Sequence, residues 1–157
     1  MPNIVSHIVE VTVFKKSSGK PLFLVLKRAE NDPLYPGIWQ IVTGRIEEGE
    51  ETTQAVLREV REETGLVPRK LWRLPLVNSF YEPVDDVLQL CPNFAVLVDE
   101  NAAPALSTEH RASEWCALDR ALSLLPWMGQ RNAVQTVFDR FWNDTEEARL
   151  LEIPIPS

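Results

Sequence analysis

The sequence has few cysteines, no long apolar run and no excess of positive charge. Cys91 and Cys116 are the only cysteines, both lie in apolar surroundings, and neither has a partner at metal-ligand spacing, so we expect both to be small core residues. Residues 1–10 lack a basic start followed by an apolar stretch. No segment approaches the ~20 apolar residues of a membrane span. We therefore expect a soluble protein in a reducing, cytoplasmic compartment, with no membrane partner.

The charge balance excludes one class of partner. Lys and Arg total 16 against 23 Asp and Glu, which gives a formal net charge of −7. No basic field is present to attract long nucleic acid. A length of 157 residues with 45% hydrophobic content is enough for one domain with its own core, so residues 1–157 are predicted to form a single domain.

Short β-rich stretches alternate with turn residues, without the strict βαβ alternation of a purely parallel sheet. This pattern predicts an α/β layered domain with a mixed sheet. Pro92 interrupts one stretch and favours a bulge or an edge strand, and the tail over 152–157 is expected to be irregular. Strands are predicted over 5–14, 22–26, 38–42, 71–81, 87–98 and 112–118, a helical turn or two over 119–125, and a closing helix over 130–142.

The strongest helix prediction covers residues 52–64. That stretch contains no glycine or proline and ends at Gly65, where a left-handed C-cap is expected. At ~100° per residue, Glu59, Glu62 and Glu63 share one face of the helix. An adjoining face carries Val56, Leu57 and Val60 and can pack on the sheet.

Three carboxylates on one helix face repel one another and so destabilise the helix. A divalent cation, which prefers oxygen ligands, would offset this repulsion by binding the carboxylates. The alternative is an ordinary acidic face in water. The surrounding residues favour a metal site: Gly44 is followed after five residues by Glu50, and after seven more by Arg58 and Glu59. Arg58 has only donors, so its expected partner is Glu50 in a bidentate pair; an exposed pair with the carboxylate four residues later is the alternative.

The segment from Gly44 to Leu66 resembles the Nudix box, with every specified position filled. The resemblance implies a Nudix-type α/β/α sandwich with a mixed β-sheet, a Mg²⁺ or Mn²⁺ cofactor, and hydrolysis of a diphosphate bond in a small molecule. It also implies that the carbonyl of Thr43 reaches metal and that a later loop supplies another carboxylate. Glu109 is the candidate for that carboxylate.

Three stretches resemble the dATP and dihydroneopterin triphosphate pyrophosphatase branch of the family: 38–44 (IWQIVTG), 108–110 (TEH) and 131–134 (RNAV). The implied products are pyrophosphate and a monophosphate. Trp39 could stack on the ring of the substrate or belong to the core, and Arg28 could hold a phosphate or cap the sheet edge. Phe80 and Tyr81 are further candidates for pocket walls.

Three alternative functions are also compatible with the sequence. One is a dinucleoside polyphosphate or broad housecleaning Nudix hydrolase, another a nucleotide-sensing Nudix domain without turnover, and the third an acidic interaction module. Both a monomer and a homodimer are compatible with the sequence.

The residues predicted to form the site fall into three groups. The catalytic candidates are Glu50, Arg58, Glu59, Glu63 and Glu109; the metal candidates are Thr43, Glu59, Glu62, Glu63 and Glu109; the substrate-binding candidates are Arg28, Trp39 and Gly44.

Overall fold

The computed structural model describes residues 1–157 and contains nine strands and four helices. In chain order the elements are β1 (Asn3–Val5), β2 (Ile8–Ser17), β3 (Lys20–Arg28), β4 (Trp39–Gln40), β5 (Val42–Arg45), α1 (Thr52–Thr64), β6 (Lys70–Glu82), β7 (Val87–Leu97), β8 (His110–Cys116), α2 (Leu118–Leu124), α3 (Met128–Arg140), α4 (Glu146–Leu151) and β9 (Glu152–Ile153).

All strands belong to one mixed sheet. Its main path runs β4-β3-β2-β7-β6-β9, while β1 pairs with β7, β5 with β2, and β8 with β3. The β2–β7 and β1–β7 pairs are parallel and the other pairs are antiparallel. The predicted mixed sheet is therefore confirmed.

Helices cover both faces of the sheet, as the alternation of side chains along β3 shows. Phe23 and Val25 belong to a core cluster with residues of α2, α3 and α4, whereas Leu24 and Leu26 belong to a second cluster with residues of α1. Successive side chains of a strand point to opposite faces, so the two clusters lie on opposite sides of the sheet. The α/β/α layering expected from the sequence is present.

Helix α1 has the predicted bounds and the predicted buried face. Gly65 ends it in the left-handed conformation at φ 69°, and its N–H bonds to the carbonyl of Arg61. At the other end, Glu51 and Gln54 form a reciprocal capping box. Val56 and Val60 are fully buried. No helix in the chain is long and apolar enough to cross a membrane.

The structure corrects the sequence analysis in several places. Residues 38–42 do not form one strand, because β4 pairs with β3 whereas β5 pairs with β2. Strand β7 is internal rather than at an edge, since it lies between β2 and β6. The irregularity near Pro92 lies in the facing strand, where the register shifts between Arg73 and Val77. The tail is partly ordered, because Glu152 and Ile153 extend the sheet next to β6.

Candidate functional site

A cleft of about 490 Å³ lies where the end of β3, the β4–β5 segment and α1 meet. Most of its lining is polar, and it brings together residues that are distant in the sequence. These are Ile8, Arg28, Asp32, Gln40, Thr43, Gly44, Arg45, Glu59, Glu63 and Glu109. Six of the residues predicted from the sequence, namely Arg28, Thr43, Gly44, Glu59, Glu63 and Glu109, are therefore found together in this cleft.

Glu63 is the most unusual group in the cleft. Its side chain is almost fully buried, and its Oε2 atom has no hydrogen-bond partner. Burial, together with the nearby charges of Glu59 and Glu109, raises the pKa of this carboxyl from 4.5 to about 9. A buried carboxylate without a cation is costly in a folded protein. The structure thus contains a strong acceptor that lacks a positive partner.

Glu59 lies beside Glu63 in the cleft and is held in place from two directions. Burial also raises the pKa of Glu59, an effect that the hydrogen bond and charge of Arg58 oppose. On the other side, Glu59 contacts the backbone at Gly44. A Cβ atom added to Gly44 would lie 2.1 Å from the carboxyl carbon of Glu59. Glycine at this position is therefore required for Glu59 to occupy the cleft.

Arg58 connects α1 to the loop before it. Its Nε donates to Glu50 Oε2 at 2.7 Å and its Nη2 donates to Glu50 Oε1 at 2.9 Å, which is the bidentate pair expected from the sequence. Nη2 also donates to the carbonyl of Arg45 at 2.8 Å, and Nη1 donates to Glu59 at 2.8 Å. The hydrogen bonds from Arg58 to Glu50, together with one from the backbone N–H of Glu47, hold the pKa of Glu50 at about 2. One guanidinium thus positions the loop, the strand end and a cleft carboxylate.

Glu109 reaches the cleft because its loop is fixed to the end of α1. Ala105 N–H donates to the carbonyl of Thr64 at 2.7 Å, and Ser107 N–H donates to the carbonyl of Glu63 at 3.4 Å. On the far side, Ala29 N–H donates to the carbonyl of Glu109 at 3.0 Å. Although the Glu109 side chain is exposed, its backbone is held between α1 and the end of β3.

Glu62 is not among the residues that line the cleft. Its side chain is 59% exposed and accepts a hydrogen bond from Nη1 of Arg58 at 3.0 Å. The reason is local, since Arg58 lies one helical turn earlier and can form an i, i+4 ion pair with it. Both partners considered for Arg58 in the sequence are therefore present, and the predicted convergence of all three helix carboxylates is not observed.

Arg28 lines the cleft but already has partners there. Its Nε donates to Asp32 Oδ2 at 2.9 Å, and its Nη2 is paired with the same oxygen. Its Nη1 donates to Gln40 Oε1 at 3.1 Å. Although burial opposes ionisation of Asp32, N–H donors from Tyr35 and Leu34 together with Arg28 hold its pKa at about 2. Arg28 is thus a preoriented cation at the mouth of the cleft.

His110 makes a local contact with Gln40. It is buried, and its Nε2 lies 3.1 Å from Gln40 Nε2. Burial lowers the pKa of His110. A neutral, buried imidazole in this position supports Gln40 rather than serving as an exposed base.

Trp39 is the one predicted substrate residue that the structure places outside the cleft. It packs against the core cluster beneath α2 and α3, and Lys27 Nζ lies 5.8 Å from the centroid of its ring. The core alternative considered for this tryptophan is the one observed. Phe80, by contrast, lines a neighbouring cavity, whereas Tyr81 bonds to Asp86 at 2.8 Å and does not line it.

The neighbouring cavity has a volume of about 210 Å³ and shares four lining residues with the cleft, namely Ile8, Arg28, Gln40 and Thr43. Its other walls are Glu10, Tyr35, Phe80, Cys91, Trp127 and Gln130. No functional role was predicted from the sequence for Glu10, Asp32, Gln40, Trp127 or Gln130. Nothing local marks these residues, because strand pairing and the packing of α3 bring them together.

The chemistry of the cleft fits a divalent cation. Hard cations such as Mg²⁺ bind carboxylate and carbonyl oxygens, and the cleft offers a buried Glu63 oxygen without a partner, beside Glu59 and Glu109. With the side chains in these rotamers, no three His, Cys, Asp or Glu residues are grouped closely enough to hold an ion. Glu59, Glu63, Glu109 and Thr43 are the residues that would hold it.

A family model described as the NUDIX domain matches residues 6–137. Among curated proteins, an octanoyltransferase of Myxococcus xanthus is 36% identical over 134 residues, which cover 81% of this chain and 35% of that protein. The mouse bis(5'-nucleosyl)-tetraphosphatase [asymmetrical] is 28% identical over 102 residues, which cover 62% of this chain and 67% of that protein. The chain spans about a third of the length of the first two curated relatives it matches.

Solved structures show the same fold. The dihydroneopterin triphosphate pyrophosphohydrolase of E. coli superposes with a TM-score of 0.66 at 24% sequence identity, covering 83% of this chain and 94% of that one. At this level of identity the similarity concerns the arrangement of the sheet and helices, not the substrate.

Proposed function

The chain belongs to the NUDIX domain family, and from that premise we propose that it is a Mg²⁺-dependent pyrophosphohydrolase, with Mn²⁺ as an alternative metal. Its substrate is a small molecule with a diphosphate linkage, of the nucleoside triphosphate type, and its products are pyrophosphate and a monophosphate.

The observation that carries this proposal is the buried, unpartnered Glu63 oxygen beside Glu59 and Glu109. A cation held there would polarise the diphosphate and acidify water for attack on phosphorus. The protein residues have distinct tasks around it. Glu59 and Glu63 supply negative oxygens from a rigid helix, and Glu109 supplies another from a loop fixed to the same helix.

Arg58 and Glu50 keep this geometry in place without touching the substrate. Their bidentate pair and the bond from Arg58 to Glu59 fix the rotamer of Glu59. Fixed geometry matters because a small misplacement of catalytic groups can cost ~10²-fold in rate. Both are therefore positioning residues.

The position of Arg28 supports a role for this residue in binding phosphate. It is the cation that lines both the cleft and the neighbouring cavity, so it lies between the expected positions of the phosphates and of the remainder of the substrate. Its bond to Asp32 leaves a planar guanidinium facing a site whose other charged lining residues, apart from Arg45, are acidic. Such a donor can orient the terminal phosphates of a triphosphate.

A second candidate substrate is a dinucleoside polyphosphate. The observation that favours it is the similarity to the mouse bis(5'-nucleosyl)-tetraphosphatase, which extends over 67% of that protein. The cleft is open enough to admit a polyphosphate chain, although the neighbouring cavity of about 210 Å³ has room for one ring system only.

A substrate panel tests the proposal. The purified protein is incubated with dNTPs, dihydroneopterin triphosphate and diadenosine tetraphosphate, with Mg²⁺, with Mn²⁺ or with a chelator, and the released phosphate, pyrophosphate and nucleotides are quantified. Metal-dependent release of pyrophosphate from a triphosphate is expected. Absence of hydrolysis across the panel with either metal would contradict the proposal, and preference for the tetraphosphate would favour the second candidate.

A further inference from the structure

The cavity beside the cleft has a polar floor beneath aromatic walls. A substrate whose phosphates lie in the cleft would place its organic group here, because the two spaces share Arg28, Gln40 and Thr43. This inference therefore rests on the proposed function. The volume of about 210 Å³ is less than the ~300 Å³ of a typical ligand pocket, so the cavity suits one planar ring system.

The walls of the cavity suit a flat ring. Tyr35 and Trp127 meet edge to face with their centroids 5.1 Å apart, and Phe80 lies on the strand side. All three aromatic side chains are between 39% and 46% exposed. Large aromatic side chains are normally covered in a folded protein. A heteroaromatic ring stacked among them would cover that surface.

The floor is formed by Glu10, which is only 4% exposed. It sits in β2 on the face that packs against α3, where an apolar residue would serve the fold alone. Three side-chain amides donate to its carboxylate: Asn78 at 2.9 Å, Gln130 at 3.0 Å and Asn93 at 3.5 Å. No Lys, Arg or His forms an ion pair with Glu10.

This amide network leaves acceptor capacity on Glu10. An ionised carboxylate has about two acceptor positions on each oxygen. Asn78 donates to Oε1 and Gln130 donates to Oε2, whereas Asn93, at 3.5 Å from Oε1, has its shorter bond to the carbonyl of Cys91 at 3.1 Å. Each oxygen of Glu10 therefore keeps one acceptor position for a further donor. A buried carboxylate without a cationic partner is costly for stability, and local features that oppose stability concentrate at functional sites. Glu10 is one of the residues that line the cavity, so a ring bound there would lie against this carboxylate.

We infer that Glu10 is a specificity-determining residue that selects a planar ring with two adjacent N–H donors, the 2-amino-4-oxopyrimidine edge shared by guanine and pterin. Such an edge points both of its N–H groups toward acceptors. Adenine and cytosine place a ring-nitrogen acceptor next to their amino group, and thymine places carbonyl oxygens on both sides of its N–H. Each of these would turn a lone pair toward the carboxylate, which costs binding energy.

The test separates ring recognition from hydrolysis. Binding of α,β-methylene dGTP, dATP and dCTP is measured by calorimetry in Mg²⁺, and turnover of dGTP, dATP and dihydroneopterin triphosphate is measured in parallel. Wild type is expected to bind the guanine analogue ~10-fold to 100-fold more tightly than the others. Equal affinity for the three analogues would overturn the inference, whatever the turnover, whereas failure of turnover with selective binding would count against the proposed function alone.

Variants locate the source of the selectivity. Glu10→Gln is expected to reduce the preference for guanine over adenine, measured as the ratio of the two dissociation constants, at least ~10-fold. Glu100→Gln, a change in an exposed loop outside the cavity, is the control. If Glu10→Gln folds, as judged by its thermal unfolding, and keeps the wild-type preference, Glu10 is not the determinant.

A second pair of variants covers the case in which Glu10→Gln does not fold. Phe80→Ala removes a wall, whereas Tyr81→Ala changes the next residue of β6, which is exposed and does not line the cavity. Phe80→Ala is expected to weaken binding of the guanine analogue at least ~10-fold, since stacking of a base on an aromatic side chain contributes substantially to affinity. Equal affinities for both variants would contradict a ring in this cavity.

Discussion

The absence of a side chain at Gly44 determines where the carboxylate of Glu59 can lie. A Cβ atom at this position would overlap the Glu59 carboxyl, and the backbone there does not need a positive φ. Gly44→Ala is therefore expected to displace Glu59 while leaving the backbone unstrained. We predict a fall in kcat/KM of ~10²-fold with a Tm close to wild type. Steady-state kinetics and thermal unfolding check this, and unchanged kinetics would show that Glu59 need not contact the loop.

Glu109 provides a second residue-scale prediction. Its charge couples to Glu59 and Glu63, so Glu109→Gln should weaken Mg²⁺ binding and lower kcat by at least ~10-fold. The matched control is Glu100→Gln, in the same connection before β8 but outside the cleft. A wild-type response to Mg²⁺ would exclude Glu109 as a ligand. Glu82, Asp85 and Asp86, the acidic residues around the turn between β6 and β7, do not line the cleft.

The sequence alone predicts the positions of some cleft residues but not of others. Gly44, Glu59 and Glu63 meet in one cleft, as helical periodicity and the fixed spacing of the motif predicted. Both are local properties of the sequence. The position of Glu62 depends on a competing ion pair with Arg58, and that of Trp39 depends on packing beneath α2 and α3. Such competition is decided by tertiary neighbours, which a linear pattern does not contain.

At the scale of elements, α1 is joined to the preceding loop and strand through Arg58. Lysine would keep the charge but lose the planar fork that bonds to both oxygens of Glu50 and to the carbonyl of Arg45. We predict that Arg58→Lys lowers kcat by ~10-fold to 100-fold and also lowers Tm. Arg61→Lys, at an exposed position of the same helix, is the control. Equal kinetics for the two variants would show that the hydrogen bonds of Arg58 do not position Glu59.

The elements themselves were predicted unevenly. The bounds of α1 follow from an uninterrupted helix-forming stretch ended by Gly65, whereas residues 38–42 contain two short strands with different partners. The parallel pairing of β2 with β7 joins residues about 80 positions apart. Pairing of this kind, together with the packing of α3 on the sheet, brings Glu10 toward Asn78 and Gln130. The sequence alone therefore could not predict the floor of the neighbouring cavity.

For the molecule as a whole, Glu63 links cation binding to pH. In the metal-free protein its pKa is raised from 4.5 to about 9 by burial and by the charges of Glu59 and Glu109, so the carboxyl is protonated at pH 7. A cation binds the ionised form. We predict that Mg²⁺ binding releases about one proton at pH 7 and strengthens as pH rises toward 9. Calorimetry in buffers of different ionisation enthalpy measures the release.

The raised pKa of Glu63 also affects the stability of the metal-free protein. A raised pKa in the folded state means that the contribution of Glu63 is fully present below pH 4.5 and is lost as pH rises through about 9. Metal-free Glu63→Gln should therefore lose less stability than wild type between pH 7 and pH 9, and its residual Mg²⁺ binding should release fewer protons. Equal proton release by both proteins would assign the proton to another group.

The central claim, that Glu63 and its neighbours hold the cation for diphosphate hydrolysis, is tested most directly by the Mg²⁺ dependence of kcat/KM in Glu63→Gln. The variant keeps the shape of the side chain but removes the charge, and it is compared with Glu100→Gln after both are shown to fold. We predict a loss of ~10² to 10³-fold that excess Mg²⁺ does not restore, with a metal-free Tm at or above wild type. Near wild-type turnover at saturating Mg²⁺ would contradict the account.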